Sequence, residues 1–182
     1  MKVKVKGRLS FPDLFEPTTF KGEGAPYYAA QFIIEAGSES DTAITEAINQ
    51  VATEKWKDKA KGVLKGIHNN KQLCCFIDGD IAGFDENTKV LSAKRYATDG
   101  RPDVRDRDAS PLAAADGKPY AGCYVMGVVD IWAQENGYGK GIRAQLLGVQ
   151  FVKDGEAFRK TSKASEDDFA DLGVDEEDDI FA

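Results

Sequence analysis

One helical stretch stands among five or six strand-like runs, and this imbalance limits the fold more than any other feature. The run SESDTAITEAINQVATEKWKDKAKG places Ile44, Ala47, Ile48, Val51 and Lys55 at helical spacings of three and four. Ser38 or Ser40 is available to cap it and Gly62 to close it. The rest of the regular pattern has the strand period. KVKVKGRLSF sends Val3, Val5, Leu9 and Phe11 one way and Lys2, Lys4, Lys6 and Arg8 the other, a half-buried strand with a basic outer face. YYAAQFIIEA, QLCCFIDGD, KVLSAKRYAT, CYVMGVVDIWA and IRAQLLGVQFV supply further strands, and parity slips near Leu147–Gly148 as a β-bulge requires. FPDLFEPTTFKGEGAP, DGRPDVRDRDASP and ENGYGKG read as loops. The strands are too few for a large sandwich, and helices do not alternate with them as βαβ units demand. The expected fold is therefore mainly β with one inserted helix (α+β), a five-stranded, partly open barrel of the OB type.

Charge divides the chain. Residues 166–182 carry nine Asp and Glu and no Lys or Arg, which leaves 22 acidic against 24 basic residues in 1–165, a net of +2. The overall net charge of −7 thus belongs to the C-terminal stretch. Blocks of like charge repel, stay unfolded and serve as interaction tails. The expected organisation is an OB-type domain over residues 1–158, then a flexible linker and disordered acidic tail over 159–182. No apolar run is long enough to span a bilayer, and the basic N-terminus lacks the apolar stretch of a secretion signal, so no membrane association is expected. Three cysteines, two of them adjacent, make no disulfide framework and point to a reducing compartment.

Catalytic constellations are sparse. His68 stands alone at a helix-to-strand connection, and Cys74 and Cys75 face opposite ways on a strand, as small buried apolar residues. DGDIAGFDENTK opens like a calcium loop but has Lys89 where a bidentate glutamate belongs. The glycines of GYGKG lack the spacing of a phosphate loop. Asp103, Asp106 and Asp108 are close enough for a metal-dependent nuclease, yet Arg101, Arg105 and Arg107 interleave with them. No metal and no cofactor are expected.

Cations interleaved with aromatics carry more information. Lys94, Arg95 and Tyr96 lie on a strand, Arg101 and Arg105 on the following loop, and Tyr120 just before the strand that carries Tyr124 and Trp132. Tyr138, Lys140 and Arg143 sit on and beyond the glycine-rich connection. Even spacing puts Tyr124 and Trp132 on one sheet face, opposite Val125, Val129 and Ile131, although Trp132 reads more naturally as core. Single-stranded nucleic acid needs cations for its phosphates and aromatic faces for its bases. The expected contacts are Lys94, Arg95, Arg101, Arg105, Lys140 and Arg143 with phosphates, and Tyr96, Tyr120, Tyr124 and Tyr138 with bases.

SFPDLFEP near the N-terminus, YAGCYVMGVVDIWAQENGYGKGIRAQLLGVQFV and the GEAF that follows resemble a family of bacteriophage single-stranded DNA-binding proteins, long catalogued as a domain of unknown function. The resemblance covers most of residues 1–158. It implies an OB-fold, an acidic tail with a terminal aromatic, and no enzymatic activity. Sequence-independent single-stranded DNA binding in phage replication or recombination, in the cytoplasm of the infected bacterial host, would follow. Asp178, Asp179, Ile180 and Phe181 would form a tip for phage or host replication proteins, with Ala182 standing after the aromatic that commonly ends such tails. A homo-oligomer is compatible with this reading. Two alternatives differ in class: the Asp103/Asp106/Asp108 nuclease, and a DNA-mimic or adaptor working through its acidic tail.

Overall fold

The computed structural model describes residues 1–158 and 168–171. Its strands are β1 (Lys2–Phe20), β2 (Glu23–Glu35), β3 (Phe76–Asp78), β4 (Thr88–Tyr96), β5 (Asp103–Arg105), β6 (Tyr124–Asn136) and β7 (Gly139–Lys153). Its helices are α1 (Glu39–Trp56) and α2 (Ala60–Ile67), joined by a 3₁₀ turn at Lys57–Lys59. β1 pairs antiparallel with β2 and β6, β2 with β4, and β6 with β7. β4 meets β7 in parallel at a single pair, Lys94↔Gln145, which closes the circuit β1–β2–β4–β7–β6 into a five-stranded barrel. This is the OB topology, with the helices between its second and third barrel strands. β3 and β5 are short additions against β4 and β7. Where β4 and β7 diverge, Leu73–Cys75 wedges between them. Ser92 N donates to Cys75 O (2.8 Å), Cys75 N to Ile142 O (3.0 Å), and Ile142 N to Leu73 O (2.8 Å).

Alternation builds the interior. Val3, Val5, Leu9, Phe32, Ile34, Leu91, Val125, Val129, Ile131 and Leu146 are buried, and most of their strand neighbours face out, with Ser10, Ile33 and Val90 buried on the other face. Gly127 takes an inward position because the Phe32 ring fills that space: a Cβ there would lie 2.6 Å from ring carbons. Gly127→Ala is expected to overpack this core and lower stability by about 1–3 kcal/mol in a denaturant titration.

The β-bulge near Leu147 is present: Val128 pairs with Gly148 but Val129 with Leu146, leaving Leu147 as the extra residue. Both adjacent cysteines are buried, and burial raises both thiols above the ordinary value.

Several expectations change. The stretch FPDLFEPTTFKGEGAP is not a loop. β1 and β2 continue through it as a hairpin arm that turns at Lys21–Gly22, both with positive φ (51° and 75°). Pro12, Pro17 and Pro26 cost ladder bonds that the arm forgoes through register shifts after Ser10, Asp13 and Thr18. Phe11, at φ 44° beside the first shift, leaves the inward set and is 65% exposed. The helix does start at a Ser38 cap, whose Oγ accepts from Asp41 N, but Gly62 lies inside α2 and does not end it. The buried face of α1 runs Ile44, Ala47, Ile48, Val51, Ala52 and Trp56. Lys55 is exposed, although its helical phase is that of the buried stripe.

Candidate nucleic-acid interface

The outward positions of four barrel strands meet on one side of the barrel. Tyr27, Ala29 and Gln31 come from β2, Ser92, Lys94 and Tyr96 from β4, Arg143 and Gln145 from β7, and Trp132 and Gln134 from β6. Together they line a groove of about 740 Å³. Strand parity explains the grouping, since Tyr27 pairs with Tyr96, Ala29 with Lys94, Lys94 with Gln145 and Trp132 with Arg143. The Lys94 ammonium lies 4.0 Å from the Tyr27 ring centroid and 4.9 Å from that of Tyr96. Arg143 Nε donates to Gln134 Oε1 (3.0 Å), which orients its guanidinium beside Trp132. Arg95 borders the groove and donates to the carbonyls of Gly100 (2.8 Å) and Asp99 (2.6 Å), pinning the loop after β4.

Lys71, Lys94, Arg95 and Arg143 set four cations in the lining against the two carboxylates of Asp13 and Asp99. Desolvation holds the Asp13 carboxyl above the ordinary aspartate value. Two hairpins contribute the walls. The β1–β2 arm supplies Phe11, Asp13 and Tyr27 and carries exposed Phe20 at its tip; the β6–β7 hairpin supplies Trp132, Gln134 and Arg143 and carries Tyr138, 96% exposed, at its tip. In OB folds, this strand face and these two connections form the surface that takes oligonucleotides and oligosaccharides.

A family model described as the ssDNA-binding protein of Enterobacter phage Enc34 matches residues 1–181. The chain belongs to this family. It is 41% identical over 187 residues to putative protein p50 of Acyrthosiphon pisum secondary endosymbiont phage 1, across 100% of both chains. The solved structure of the bacteriophage Enc34 single-stranded DNA-binding protein in complex with ssDNA is 28% identical. It covers 87% of this chain and 89% of that one, with a TM-score of 0.64. Bacteriophage T7 gp2.5, a single-stranded DNA-binding protein, shares the fold at 15% identity and a TM-score of 0.61, over 90% of this chain and 98% of that one.

In this Enc34 family member, Lys94, Arg95, Tyr96 and Arg143 are brought together in the groove. Tyr138 is at the hairpin tip. Lys140 lies on the other face of that hairpin, 3.9 Å from Glu135, whose carboxylate accepts from the Trp56 indole (3.3 Å). Arg101 lies over the Phe15 ring of the arm at 5.7 Å. Arg105 is on β5, paired with Asp103 at 3.0 Å. The Tyr120 hydroxyl donates to Asp154 Oδ1 (2.7 Å), and its ring packs against Phe151. Tyr124 is exposed but borders a separate depression of about 720 Å³ with Lys4, Lys6 and Arg8. Arg8 and Lys153 lie 5.5 and 4.7 Å from its ring.

Trp132 is 42% exposed and stands in the groove, not in the core. Its even spacing from Tyr124 was the signal for exposure. Phe11, Tyr27 and Lys71 also line the groove; Tyr27 carried a signal in the adjacent pair of tyrosines opening its strand, and the other two carried none.

Each carboxylate of the aspartate-rich loop has its own local partner. Asp103 pairs with Arg105, Asp106 with Lys118 at 3.0 Å, and Asp108 with Ser110. The bond from Lys118 lowers the Asp106 pKa, and the bonds from Ser110 lower that of Asp108. Among the described residues no three His, Cys, Asp or Glu side chains gather as a metal site would need, and no helix is long and apolar enough to cross a membrane. Asp178, Asp179, Ile180 and Phe181 lie outside the described residues.

Proposed function

We propose that this chain binds single-stranded DNA without sequence preference in phage replication or recombination, in the cytoplasm of the infected bacterial host. The strand would lie across the groove between the two hairpins. The observation that carries this is the placement of Lys94 against Tyr27 and Tyr96, with Trp132 and Arg143 on the same continuous outer face. Phosphates meet Lys71, Lys94 and Arg143, while bases stack on Tyr27, Tyr96 and Trp132. The groove offers π-faces and cations in place of a pattern of donors and acceptors aimed at base edges, which suits indifference to sequence. Phe20 and Tyr138 are placed to hold the strand from the arm and hairpin tips.

In this reading residues 1–158 are the DNA-binding unit and 159–182 a linker and acidic tail. The tail competes with DNA for the groove, and its Asp178–Phe181 end recruits replication partners. A gel shift with oligothymidine and a matched duplex tests the function, the single strand being expected to shift at lower protein concentration. Binding should also weaken with salt, by about 0.7 in the slope of log K against log salt for each phosphate neutralised, or roughly 2 for Lys71, Lys94 and Arg143 together. A flat salt response would overturn the assignment of these cations to phosphates.

A further inference from the structure

Residues 55–71, KWKDKAKGVLKGIHNNK, hold six lysines and one aspartate, a net of +5 in a body whose total is +2. The rest of the body is therefore net negative by three, so this helical elbow alone turns the body's balance positive. Lys55 lies in the last turn of α1, Lys57 and Lys59 lie in the 3₁₀ turn, Lys61 and Lys65 belong to α2, and Lys71 follows it. All six are exposed. Among the described residues none of them has a carboxylate within salt-bridge distance.

The elbow is fastened to the barrel at both ends. Trp56 is buried and its indole donates to Glu135, one pair from the turn of the β6–β7 hairpin. Leu73 and Cys75 are bonded to Ile142, the residue before Arg143. Lys71 is thereby held in the groove wall, and the elbow continues outward from it.

The exposed face of α2 consists of Lys61, Gly62, Lys65 and Gly66. Both glycines are in ordinary helical conformation, and a Cβ at either would meet nothing within 4 Å. Neither packing nor backbone geometry calls for glycine there, although each costs the helix roughly 1 kcal/mol relative to alanine. A bare backbone between lysines, in a segment 57–71 that holds no Phe, Tyr or Trp, suits close approach by a polyanion whose bases are not gripped.

We infer that the lysine elbow is a second, stacking-free track for the DNA backbone, which continues the groove beyond Lys71. This rests on the single-stranded DNA-binding reading above. The protein then engages a longer stretch of strand than its groove alone holds, with aromatic contacts at one end and purely ionic ones at the other.

The test replaces Lys57, Lys59, Lys61 and Lys65 with Gln in the full chain. It measures binding of oligothymidine of about 5 and about 20 nucleotides, the first near the bottom of the usual OB-fold site-size range of about 4–16 and the second above it, over a salt series. Unchanged binding of the short oligonucleotide is expected. The long one should bind more weakly, with a slope shallower by about 0.7 for each phosphate no longer neutralised. Unchanged binding at both lengths overturns the track. An equal loss at both lengths also overturns it, and would place the acidic tail on the elbow, released onto the groove by the substitutions. Wild-type protein that binds neither length overturns the function itself as well.

Discussion

Trp132→Ala is expected to weaken oligothymidine binding about 5- to 150-fold, the equivalent of about 1–3 kcal/mol for the removal of one stacking platform. The fold should survive, because this side chain is 42% exposed while its neighbour Ile131 on the inward face carries the packing. Trp132→Phe should retain most of the affinity, since a smaller π-face still accepts a base. The chain supplies its own reporter. It has two tryptophans, and Trp56 is buried against the barrel. Quenching of intrinsic fluorescence on adding DNA should therefore come from Trp132 and vanish in the alanine variant. Quenching that persists undiminished would remove Trp132 from the interface.

Deleting residues 166–182 is expected to tighten DNA binding, most of all at low salt, and to admit duplex that the intact protein excludes. A tethered polyanion reaches a local concentration on the order of millimolar. If it held the groove with a dissociation constant of about 100 µM, it would occupy the site about ten to one, and its removal would raise affinity about tenfold. The gain should shrink as salt screens the tail. Equal affinities for full-length and truncated protein would limit the tail to recruiting partners.

The barrel was legible in the sequence because burial writes a period of two into each strand, and even the bulge at Leu147 showed as a slip in that period. The arm was not. Proline and glycine mark turns in most contexts, and nothing local shows that β1 and β2 tolerate them by shifting register. The site was half legible for a different reason. Parity tells which face of a strand a residue occupies, not where around a closed barrel that face points. Tyr124 and Trp132 share a face of β6, yet eight residues at about 3.3 Å each separate them by about 26 Å along a twisting strand. One reaches the groove, and the other sits with Lys4, Lys6 and Arg8 in a different depression. Lys94, Arg95, Tyr96 and Arg143 fall together in the groove, in segments where charge and aromaticity coincide. Lys71 was hidden in a stretch that reads as a connection, and only the wedge at Leu73–Cys75 brings it to the groove.

The barrel consists of two half-shells, β1–β2–β4 and β6–β7, joined at two seams of unequal strength. Seven registered pairs, Lys2↔Asp130 to Arg8↔Tyr124, hold one seam; Lys94↔Gln145 alone holds the other directly. Lys94 and Arg143 stand on opposite sides of the weak seam. A polymer laid between them would act as a strap across the place where the cylinder is least stitched. Occupancy and rigidity then become one property, so that the protein is most firmly closed while it is at work.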